Sequence, residues 1–99
     1  MAAYLMADVL PEDLDGYRES GYLEAAVRTA TAHGGVYRVR GGEMTVLEGD
    51  WKPDRMVVIE FPSMDALMTW YRTPEYQEWA AVRQQFVPNS KVIAVEGVA

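Results

Sequence analysis

Ninety-nine residues with a net charge of −6 and no cysteine leave room for one domain. They exclude disulfides, thiolate nucleophiles and cysteine-ligated clusters. The acidic excess repels phosphate backbones, so nucleic acid is not an expected partner. No apolar run reaches transmembrane length and no basic amphipathic stretch suits a membrane surface, so a membrane is not expected either.

Ala3 to Val9 is almost continuously apolar and reads as a buried strand. The chain lacks the basic start and long apolar stretch of a signal peptide, and cytoplasmic is the expected location. Pro11-Glu12-Asp13 opens a helix, with acids favourable in its first turn. Leu14 and Tyr17 share one face. Leu23, Ala26, Val27 and Ala30 follow a second phase, which predicts a break near Ser20-Gly21. The helix ends at His33-Gly34-Gly35, where glycine suits the C-terminal turn.

Val36 to Arg40 alternates as a strand, predicting Tyr37 and Val39 on one face and Arg38 and Arg40 on the other. Gly41-Gly42 marks a bulge or turn, Met44 to Leu47 resumes extended structure, and residues 49–54 form a hairpin loop. Met56 to Phe61 is the strongest strand in the chain. Ser63 caps a helix carrying Ala66, Leu67, Trp70 and Tyr71. Thr73-Pro74 restarts a helix with Tyr76, Trp79, Ala80, Val82 and Phe86 on its apolar stripe. Lys91 to Val95 is the last strand.

The order β-α-β-β-α-β predicts an α+β, ferredoxin-like fold with an antiparallel sheet. Its helices cover one sheet face. The strands at 3–9 and 56–61 are apolar on both faces, so the second face needs another cover. A second copy of the same sheet is the simplest one, giving a homodimer.

The stretches Ala32-His33-Gly34-Gly35, Arg40-Gly41-Gly42, Val46-Leu47-Glu48-Gly49-Asp50-Trp51 and Val57 to Ser63 then carry a resemblance, together with Trp70-Tyr71, Pro74-Glu75-Tyr76, Arg83 and Val95-Glu96-Gly97. Over almost the whole chain they resemble the family known as domain of unknown function 1330, within the dimeric α/β-barrel superfamily. Ser20-Gly21-Tyr22 departs from the pattern as extra sequence. The resemblance implies a ferredoxin-like protomer over residues 1–99 and a homodimer whose sheets face each other in a barrel. It implies no activity. Superfamily relatives include monooxygenases that use no cofactor, lactone isomerases and dye-decolourising haem enzymes, an analogy of fold alone.

His33 is the single histidine, which excludes a multi-histidine metal site; no metal and no cofactor are expected. His33 is the candidate general base, against the plainer reading of a helix C-terminal cap. Arg38, Arg40 and Arg55 are candidates to hold an anionic group, against the reading of surface charge paired with nearby acids. Trp51 and Tyr71 are candidates to line a pocket for a flat ligand, although aromatics at helical spacing more often form core. Arg83 lies on an apolar stripe and needs a partner that Glu60 or Glu96 could supply, and the pair Arg83–Glu60 is expected as structural. Two functions stay open. One is a cofactor-free enzyme acting by proton transfer or oxygenation on a small acidic or aromatic metabolite, in a pocket between sheet and helices. The other is a non-catalytic homodimer that binds or senses a small ligand.

Overall fold

The computed structural model describes residues 1–98. In strand β1 (Ala3–Asp8) burial alternates: Ala3, Leu5 and Ala7 are buried, while Tyr4, Met6 and Asp8 are half-buried. Helix α1 (Leu14–Glu19) starts on Asp13, whose Oδ1 accepts the Gly16 N–H at 2.9 Å. Gly21, at φ +87°, then turns the chain into α2 (Tyr22–Ala32). A side chain there would be strained, so the break expected at Ser20-Gly21 is enforced by glycine.

Strand β2 (Val36–Arg40) pairs with β3 (Met56–Phe61). Ser63 caps α3 (Met64–Arg72) by accepting the Ala66 N–H at 3.0 Å. Thr73 accepts the Tyr76 N–H at 3.2 Å and, with Pro74 in the first turn, starts α4 (Pro74–Phe86). Strand β4 (Lys91–Glu96) closes the sheet beside β1. The sheet order is β2-β3-β1-β4, antiparallel throughout. This is the ferredoxin-like α+β topology. The helices pack on the face carrying Leu5, Ala7, Val57, Ile59 and Phe61, and Trp70, Tyr17, Tyr76 and Leu67 fill the space between.

The second strand departs from the expected pattern. A bulge falls between Tyr37, opposite Ile59, and Val39, opposite Val58. The extra residue, Arg38, sends Nε to the Glu60 carboxylate at 3.3 Å. Tyr37 and Arg40 therefore face the helices, while Val36 and Val39 share the open side with Val58 and Glu60. The predicted extended stretch at Met44–Leu47 is not a strand: residues 41–55 form one long connection. Gly41, at φ +71°, starts it by donating its N–H to Met56 O at 2.8 Å.

The open face keeps its apolar character. Met6, Val58, Val36, Val39, Ile93 and Val95 lie on it, and Ile93 is 62% exposed. Asp8, Lys91 and the Arg38–Glu60 pair lie on the same side. Among the described residues no helix is long and apolar enough to cross a membrane.

Candidate functional site

Four elements aim polar groups into the layer between sheet and helices. Tyr17 comes from α1 and Tyr22 from α2, brought together by the turn at Gly21; their rings stack at 5.4 Å. Tyr76 and Arg83 lie seven residues apart on α4, two turns along one stripe. Tyr37 reaches in from β2. Arg55 enters from the end of the long connection, fixed by Asp8, whose Oδ1 accepts the Asp54 and Arg55 N–H groups at 3.0 and 3.1 Å. With Leu5, Ala7, Val9, Val57, Ile59 and Trp70, these side chains enclose a cavity of about 30 Å³.

The polar groups form a chain. Arg83 Nη1 donates to the Tyr76 hydroxyl at 2.9 Å, and the Tyr76 and Tyr22 hydroxyls share a hydrogen bond of 2.8 Å. The Trp70 ring packs on Tyr76 at 4.1 Å, and its Nε1 donates to Thr29 Oγ1 at 3.0 Å. Counting donors and acceptors exposes an imbalance. The two phenols have two protons but only one bond between them, so one O–H lacks an acceptor whichever way that bond points. Arg83 is 4% exposed, and its Nε–H has no acceptor among the described residues. No carboxylate among the described residues pairs with its guanidinium. Buried charges are ordinarily paired, so this cation and its spare donors are an exception.

Protonation reinforces this. Burial pushes the Tyr17, Tyr37 and Tyr76 hydroxyls well above the ordinary phenol range, so all three are donors at neutral pH. Burial pulls the Arg83 guanidinium down, but the Tyr76 and Tyr22 oxygens push it up by more, and it keeps its charge. Among the described residues no His, Asp or Glu lines the cavity. The site presents a guanidinium and phenol donors, and none of the described residues lining it is an imidazole or a carboxylate. Among the described residues no cluster of three or more His, Asp or Glu is placed to hold a metal.

Of the residues singled out in the sequence, Arg55 alone reaches this cavity as a ligand candidate. His33 caps α2, half-buried, with Nδ1 at 3.0 Å from Thr29 O, and does not line the cavity. Arg40 stands over the Tyr37 ring at 5.5 Å, outside it. Arg38 is spent on Glu60 on the opposite sheet face. Tyr71 packs against the Trp70 and Tyr76 rings, and Trp51 is 73% exposed beside Met6 and Met56. The expected pair Arg83–Glu60 does not form. Glu60 points to the open face opposite Tyr4, whereas Arg83 lies on the helix side, so the sheet separates them. Sequence reasoning missed the hydroxyls of Tyr17, Tyr22 and Tyr76. One signal was available: Leu5, Ala7, Val57 and Ile59, the strand residues that line this cavity, are all apolar, so none of them offers Arg83 a carboxylate.

The fold is similar to that of several solved structures. One is a protein of unknown function from Rhodopseudomonas palustris, with TM-score 0.70 and 20% identity over 99% of this chain and 83% of that one. Another is a dimeric ferredoxin-like protein of unknown function from Jannaschia sp. CCS1, with TM-score 0.71 and 17% identity over 98% of this chain and 100% of that one. A third, from Thermobifida fusca and also a dimeric ferredoxin-like protein of unknown function, has TM-score 0.64 and 15% identity over 98% of this chain and 92% of that one. At these identities the likeness carries the fold alone. No curated protein matches the chain. The family model described as Domain of unknown function (DUF1330) matches residues 2–98, and the chain belongs to that family.

Proposed function

We propose that the protein is a cofactor-free homodimer, each protomer of which binds a small carboxylic acid between its sheet and its helices. One observation carries the binding: a guanidinium buried to 4% exposure, with no carboxylate partner among the described residues and an unmatched Nε–H, in the wall of a cavity lined by further donors. A carboxylate supplies the missing charge and accepts from Arg83 and a phenol together. The net charge of −6 does not forbid this, because distant surface charges are screened beyond about 10 Å while the buried guanidinium is not. The pairing of protomers is supported by the apolar open face and by the dimeric state of the Jannaschia and Thermobifida proteins. A cytoplasmic location belongs to the same reading and rests only on the cysteine-free composition.

Binding without chemistry is favoured over proton transfer or oxygenation, because the cavity wall offers no imidazole or carboxylate and His33 stands outside it. Thermal unfolding in sodium acetate, against sodium chloride at equal ionic strength, tests the binding. The melting temperature should rise with acetate in the wild type and stay flat in Arg83→Met. At a hundredfold excess over Kd the stabilisation is about 2.7 kcal/mol. Equal shifts in both proteins would remove Arg83 from the site and overturn the proposal.

A further inference from the structure

The cavity, at about 30 Å³, has room for about two ordered waters, so of an acid it admits the two oxygens of the head and little more. The rest of any ligand must leave through the wall. Arg55 is the one residue that lines both this cavity and an outer cleft between α1, α2 and the start of the long connection. Its side chain is held loosely: Nη1 to Val9 O measures 3.4 Å, long for a hydrogen bond. It also lies close against Gly41, where a Cβ would come within 2.9 Å of its Nε, so the glycine makes room for it.

The cleft has two characters. Leu10, Leu14, Leu23 and Val27 give it an apolar floor, and Leu10 and Leu14 are 52% and 40% exposed. Arg18, Arg28, Arg40 and Arg55 surround this floor against the single acid Glu24. Among the described residues Arg28 alone of these pairs with an acid, Glu75 at 3.1 Å. An apolar path fringed by unpaired cations, joined by one displaceable arginine to a buried anion-seeking guanidinium, fits a single molecule with an acid head and an apolar tail.

Resting on the carboxylate reading above, we infer that the natural ligand is an amphipathic monocarboxylate, its head on Arg83 and its alkyl chain passing Arg55 into the cleft of Leu10, Leu14, Leu23 and Val27. The head is satisfied by Arg83 and a phenol, and the tail covers leucines that the protomer leaves exposed. The cleft then sets chain length, and the cavity sets the preference for a carboxylate.

Calorimetric titration of the full chain with acetate, butanoate, hexanoate and octanoate tests this. Affinity should tighten about three- to fourfold per methylene while the chain crosses the cleft. In the double variant Leu10→Ser/Leu14→Ser, acetate should bind as in the wild type while the gain with length shrinks. Arg83→Met should lose every member of the series. Acetate binding with no gain in length would overturn the inference and leave the carboxylate reading standing. A gain unchanged in the double variant, or octanoate binding retained in Arg83→Met, would also overturn it, marking the cleft as a surface for a second copy or for non-specific adsorption. Failure of acetate and of the longer acids alike would overturn both.

Discussion

Arg83 donates to the hydroxyl of Tyr76 at 2.9 Å, and that phenol is the only hydrogen-bond partner of the guanidinium among the described residues. A structural buried arginine normally meets a carboxylate, because removing a charge from water costs several kcal/mol that only an opposite charge offsets. Arg83→Met keeps the unbranched stem and removes the charge. Its stability should therefore match the wild type within about 1 kcal/mol or exceed it. For a domain of this size each kcal/mol gained raises the melting temperature by about 4–8 °C. Denaturation at equal protomer concentration checks this, and a loss above about 3 kcal/mol would mark Arg83 as structural.

The two phenols of the chain should differ in their cost of removal. Tyr76→Phe strips Arg83 Nη1 of its acceptor and Tyr22 of its partner, leaving buried polar groups unmatched. Tyr22→Phe removes one hydroxyl and leaves the Arg83–Tyr76 bond in place. We expect about 1–3 kcal/mol for Tyr76→Phe and about 1 kcal/mol for Tyr22→Phe in urea denaturation. The reverse order would contradict the hydrogen-bond chain.

Alkaline pH should unfold the protein. Burial raises the Tyr17, Tyr37 and Tyr76 hydroxyls above the ordinary phenol value of about 10. A group raised in the folded state contributes stability that is complete below its unfolded value. Above that value the unfolded phenols ionise and the folded ones do not, so the contribution is lost as pH rises. Stability should be insensitive to these groups from pH 6 to 9 and fall steeply above about pH 10. Ultraviolet titration should show a late class of phenols that ionises together with loss of the near-ultraviolet circular dichroism. All six tyrosines titrating together near pH 10, with structure intact, would refute their burial.

The open sheet face predicts a second effect, independent of the site. Val58 lies on it opposite Met6 and Val39. Val58→Lys places a charge where the paired sheets would be driest. Sedimentation should show a micromolar dimer for the wild type and a monomer, or a far weaker dimer, for the variant. Ile93→Lys, at a position already 62% exposed in the protomer, gives a milder form of the same test. A dimer untouched by both would place the partner elsewhere.

Much of this architecture is legible in the residues, and the exceptions have physical reasons. The break at Gly21 and the starts at Ser63 and Thr73-Pro74 are written in residue types with narrow backbone or capping preferences. The bulge at Arg38 is not, because nothing in Val36 to Arg40 distinguishes a bulged residue from a paired one; the glycines that signal irregularity follow it. That one inserted residue reverses the faces of Val39 and Arg40, and so redirects one of the candidate arginines while Arg38 keeps its expected side. The burial of Arg83 is readable from its helical spacing, but its environment is not. It depends on three phenols from separate helices meeting across the layer, and side-chain contacts between distant segments leave no local pattern. Strand parity, which sends Glu60 to the far face, would have excluded it as the partner.

The most direct measurement observes the Arg83 Nε–H itself. In protein labelled with ¹⁵N-arginine, its side-chain resonance can be assigned by its loss in Arg83→Met. Titration with acetate should move that resonance downfield and slow its exchange with water, saturably, as the missing acceptor arrives. A resonance that stays in place while acetate reaches high concentration would show that the guanidinium does not meet a carboxylate.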